Sequence, residues 1–150
     1  MSVFSLRHRL AVASAAAALL GVLLPVASAT AASADPRPGT ITSVTVRPTG
    51  GWVDSGVYLT RGTVVLSGSG TVFVNGNLYG PAGTSSCTGS IVSSLPCNAL
   101  IGEIGSGPAF EIANTDYLRV FHSGELYLAV NTPTGAFSFG AFHTGVVGLP

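Results

Sequence analysis

The residues of this 150-residue chain that could do chemistry are two cysteines, three histidines, six carboxylates and a scatter of asparagines. Nine residues separate Cys87 from Cys97, a spacing foreign to the C-x2-4-C pattern of zinc ligands. An even cysteine count in an exported chain is that of one structural disulfide. Cys87 and Cys97 are therefore expected to be crosslinked, closing a short loop worth about 2–3 kcal/mol in the chain-entropy model. Two free thiols and half a metal site are the alternatives.

Catalysis asks for more than these residues supply. Glycoside hydrolysis needs two carboxylates flanking one bond, one of them with a raised pKa. Glu103, Glu111 and Glu125 occupy outward-looking positions of strand patterns, where a solvated sheet face accounts for them. His122 borders a hairpin turn and His143 lies in the C-terminal tail. No G-x-S-x-G turn accompanies the serines. The chain is read as a non-enzyme.

Calcium takes six to eight oxygens, normally with carboxylates among them. The segment Asn131 to Ala136 offers an amide, two hydroxyls and carbonyls but no acid, and Asp54 and Asp116 read as caps or turn formers. No cofactor is expected, and calcium is disfavoured. Carbohydrate binding instead requires planar hydrogen-bonding groups beside an aromatic platform. Asn75, Asn77 and Tyr79 cluster on one hairpin and, with Asn131 and Thr132, form the candidate ligand-binding set. Their plainer reading is an Asn-Gly turn beside a core tyrosine. Trp52, the single tryptophan, reads as a core plug at a sheet edge.

The elements that must position these residues begin after the N-terminal segment. Arg7 and Arg9 precede a mostly apolar run from Leu10 to Val26, followed by Ala27-Ser28-Ala29 and Ala32-Ser33-Ala34. That order is a secretory signal peptide over 1–34, cleaved after Ala29 or Ala34. An N-terminal membrane anchor is the alternative, but the run is short for a span. Residues 35–39 read as a Pro-rich linker, and 40–150 as a single domain. A secreted, extracellular location follows, with no transmembrane anchor in the mature chain.

All six basic residues are arginines, and two leave with the signal. Four remain against six acids, so the mature chain is slightly acidic. It cannot neutralise a row of phosphates, which excludes nucleic acid as a partner. Arginine without lysine, with abundant Ala and Gly, points to a GC-rich bacterial source.

Within the domain, Ile41–Val46, Val57–Thr60, Thr63–Ser67 and Thr71–Val74 alternate as short strands, with Gly68-Ser69-Gly70 read as a break. Asn75-Gly76 is a strong hairpin signal. Leu100 to Ile104, Ala109–Ala113, Tyr117–Phe121, Glu125–Asn131 and Ala136–Phe142 complete the set. Leu126, Leu128 and Val130 are expected to face the core with Leu100 and Ile104. Short strands at 8–12-residue spacing predict an all-β antiparallel sandwich of jelly-roll type.

The blocks Gly80-Pro81-x-Gly83, Cys97-x-Ala99-Leu100-Ile101-x-x-Ile104-Gly105, the Ser123–Asn131 strand and a final Phe-rich strand occur in that order. From about Gly56 to Phe142 the chain thereby resembles the PA-IL-type bacterial galactose-specific lectins and their galactose-binding-like relatives. The resemblance implies a small jelly roll. It also implies calcium held beside the last hairpin by an Asn-Asp pair and two adjacent asparagines, but here Asn131 precedes Thr132 and the second region reads Ser138-Phe139. The family's carbonyl-giving threonine falls near Ala136. Its sugar-touching histidine and glutamine fall in an interval that is only Thr84-Ser85-Ser86 here. The scaffold matches and the binding site is degenerate.

The expectation is thus a secreted, lectin-like module for glycan or cell-surface polysaccharide. Its rival is a structural or cell-surface β-sandwich that has lost sugar binding. The sequence carries no signature of an oligomeric state.

Overall fold

The computed structural model describes residues 41–85 and 88–150. The expected signal peptide and linker, and the Cys87 half of the expected disulfide, lie outside these residues. The described residues form nine strands and no helix, paired antiparallel throughout.

One sheet joins β1 (Ile41–Val46), β9 (Ser138–Gly148) and β3 (Gly62–Val74) in that order. Along the far side of β3 lie two short strands in succession, β7 (Asp116–Val120) against its beginning and β4 (Asn77–Tyr79) against its end. The second sheet runs β2 (Val53–Leu59), β8 (Gly124–Val130), β5 (Leu100–Ile104), β6 (Phe110–Glu111). Alternation of β-branched and polar residues puts one face of each sheet inward. Leu126, Leu128 and Val130 of β8 meet Leu66, Val72, Phe142 and Val146 of the other sheet in one core cluster, with Leu100 buried and Ile104 packed against it. The faces of β5 and β8 are those their alternation predicts.

Two sequence expectations change. The glycines at 68 and 70 do not break a strand: β3 runs through them for 13 residues. They are there because neighbours come too close for a side chain. A Cβ at Gly68 would lie 2.6 Å from the Ala113 carbonyl oxygen, and Gly70 has φ +92° with the Ala141 carbonyl oxygen 2.6 Å from where its Cβ would be. His143 is not in a tail either. It lies within β9, paired with Thr45 and Ser69 on either side.

The second sheet is covered on its outer face as well. Ile101 and Ala129 are fully buried with Ala99, against Trp52, Ile91, Val92 and Leu95. Residues 91–99 therefore form part of a third, irregular layer. Trp52 belongs to this smaller cluster.

Candidate functional site

At the Val74 end of β3 the chain turns through Asn75 (φ 47°) and Gly76 (φ 93°) into β4. Two consecutive positive φ values make the tight hairpin turn that Asn-Gly favours. Asn75 also ties this turn to the segment leading into β9. Its backbone N–H donates to the Phe137 carbonyl at 3.0 Å, and its Oδ1 accepts from the Phe137 N–H at 3.1 Å.

That clamp places Phe137 beside a row of apolar side chains. Leu78, Phe73 and Phe139 are register partners across β4, β3 and β9, so they share the outer face of the sheet. The Phe73 and Phe139 rings stack with centroids 4.6 Å apart and planes 22° apart. Phe137 stands edge-on to both, at 6.5 and 6.0 Å. Leu78, Phe137 and Phe139 are respectively 69%, 70% and 56% exposed. Water-facing rings in such density form a platform for an apolar ligand surface.

The five sequence candidates do not gather in one hollow. Asn75 sits at the platform's rim with its carbonyl oxygen engaged by Phe137. Asn77 and Tyr79 are paired with Val74 and Val72, residues of the inward face, so they point to the opposite side of the sheet from Leu78. Asn77 is exposed, while Tyr79 packs against the core. Asn131 and Thr132 are enclosed, 0% and 2% exposed.

Asn131 is occupied within the fold. Its Oδ1 accepts from the Val92 N–H at 2.9 Å, and its Nδ2 lies 3.0, 3.2 and 2.9 Å from the carbonyl oxygens of Val92, Leu95 and Pro96. The Thr132 hydroxyl faces the Val130 carbonyl at 3.4 Å, and that of Ser138 donates to the Pro48 carbonyl at 3.0 Å. At the position where the resemblance implies calcium, Asn131 Oδ1 is engaged by the Val92 N–H, Thr132 and Ser138 bring only neutral hydroxyls, the segment 131–139 holds no Asp or Glu, and the Phe139 ring is packed on Phe73. These residues do not fit a calcium ion. Among the described residues no three of His, Cys, Asp and Glu come together in a metal-binding group.

The phenylalanines are visible in the sequence as a Phe-rich final strand, but not as a cluster with Phe73. Phe137-x-Phe139 straddles the start of β9 and Phe73 is the next-to-last residue of β3, but their alignment depends on register between strands distant in the chain.

Two antiparallel sheets packed face to face make this an all-β sandwich. The chain is similar in structure to the solved EclA N-terminal domain, a PllA-like lectin, with a TM-score of 0.54 and 23% identity over 71% of this chain and 94% of that one. No family model and no curated protein matches the chain.

Proposed function

We propose that this chain is a secreted carbohydrate-binding module that works without calcium. The observation that carries the reading is the exposed Phe73–Phe137–Phe139 cluster at the Asn75 hairpin. Sugar rings present C–H faces that stack on aromatic side chains, while amides at the rim bind hydroxyls. Asn75 keeps its Nδ2 group for such a contact, since among the described residues its side-chain bond is made through Oδ1. The neighbour's description as a lectin supports the same reading, and secretion rests on the N-terminal sequence pattern.

The purified protein on a glycan array, with and without calcium, tests this. Binding is expected to be calcium-independent and lost in Phe139→Ala with the melting temperature retained. Binding that survives both Phe137→Ala and Phe139→Ala moves the site away from the platform. Absence of all glycan binding favours the second reading, a structural or cell-surface sandwich, which the internal use of Asn131 and Thr132 supports.

A further inference from the structure

The other end of the sandwich carries a different kind of surface. Gly62 opens β3, about 40 Å along the strand from Val74 at the usual rise per residue. Around it lies a hollow of about 680 Å³ lined by Arg61, Gly62, Thr63, Arg119, Val120, Phe121 and His122. Two of the three arginines in the described residues, Arg61 and Arg119, come together here, in a chain with only 8% charged residues. No Asp or Glu is among the described residues lining the hollow.

Both guanidinium groups are oriented by Phe121. Arg61 Nε donates to the Phe121 carbonyl at 2.7 Å, which leaves the outer edge of the guanidinium free to bind. Arg119 lies over the Phe121 ring, 5.6 Å from its centroid, a geometry that holds a cation without satisfying its N–H groups. Phe121 itself is 64% exposed. From this ring an apolar groove continues along Pro108, Ala109, Phe110 and Leu118. A pair of arginines with N–H groups to spare suits an oxyanion, and the adjoining aromatic and aliphatic groove suits the apolar face of a ring joined to it.

We infer that this hollow is a second binding site, one that takes an acidic sugar. A carboxylate or sulfate lies between Arg61 and Arg119, and the neighbouring sugar ring lies against Phe121 and Phe110. Charge complementarity argues for this occupant. The described residues hold three arginines against five acids, so a cationic hollow on an acidic domain draws anions to that one place. The inference rests on the carbohydrate reading and adds a site and a ligand class to it.

The test is titration calorimetry on the protein as processed by the cell that makes it. The probes are an oligogalacturonate tetramer, its carboxyl-reduced neutral counterpart, a sulfated galactan tetramer and inorganic sulfate. At least one acidic tetramer is expected to bind, about tenfold or more weakly in Arg61→Gln and in Arg119→Gln, and more weakly as salt rises. The neutral tetramer is expected to bind at least tenfold less well, and the two acidic probes tell a carboxylate site from a sulfate site. Both arginines are exposed, and an unchanged melting temperature verifies the fold of each variant. Equal binding of an acidic tetramer to wild type and both variants overturns the inference and leaves the carbohydrate reading standing. Inorganic sulfate binding as tightly as either tetramer also overturns it, since the hollow then reads charge alone. If no tetramer binds, the inference fails, and the platform variants on the glycan array decide the broader reading separately.

Discussion

The side chain of Asn131 pairs with the backbone of Val92 as a strand would, accepting its N–H at 2.9 Å and donating to its carbonyl at 3.0 Å. The same amide reaches the carbonyls of Leu95 and Pro96. One buried side chain at the end of β8 therefore anchors the irregular layer over the second sheet. Asn131→Ala leaves these backbone groups to find other partners, and Asn131→Asp removes every donor. Each is expected to cost about 2–4 kcal/mol, measured by urea unfolding. A loss under about half a kcal/mol would return Asn131 to the list of free ligand residues.

Leu128 is fully buried in the inter-sheet core. Leu128→Ala should lower stability by about 2–5 kcal/mol through lost contacts and a residual cavity. Phe139→Ala, on the exposed face, should change stability by less than about 1 kcal/mol. Equal costs at the two positions would contradict the assignment of inner and outer faces.

At Gly68 a Cβ would meet the Ala113 carbonyl oxygen at 2.6 Å and Pro81 Cβ at 2.9 Å. Gly68→Ala should therefore destabilise by about 1–3 kcal/mol, although alanine suits a strand no worse than glycine does. Thermal unfolding checks this; an unchanged midpoint would mean that the segment 111–115 and β3 separate more readily than their packing implies.

Cys97 is 4% exposed at the end of the covering loop. Bonding to Cys87 is expected, with the intact mass two hydrogens below the reduced chain. Cys97→Ser should then lower stability by about 2–3 kcal/mol while keeping the β circular-dichroism signature. Two alkylatable thiols in protein from oxidising medium would remove the crosslink.

Calcium at millimolar concentration is expected to leave the melting temperature within error, because Asn131 Oδ1 is engaged by the Val92 N–H and Thr132 and Ser138 offer only neutral hydroxyls in a segment without Asp or Glu. A rise of several degrees would indicate binding selective for the native state and would place ligands elsewhere, with Asp54 and Asp116 the first to test.

The features legible without a fold are local. The period-two pattern of Leu126, Leu128 and Val130 and the positive-φ turn at Asn75-Gly76 follow from a few adjacent residues, and the structure has both. That β3 continues through Gly68 and Gly70 emerges only from packing, because the atoms that demand glycine belong to Ala113 and Ala141. Packing also turned Asn131 from a candidate ligand into a clamp, through carbonyls in the 92–96 loop. The same holds for both surfaces assigned here. Leu78, Phe73 and Phe139 form a row, and Arg61 and Arg119 flank Phe121, only once strands far apart in the chain are paired in register. Local alternation tells a residue which face it occupies, but not which distant residue it will face, since that choice is made by the packing of whole sheets.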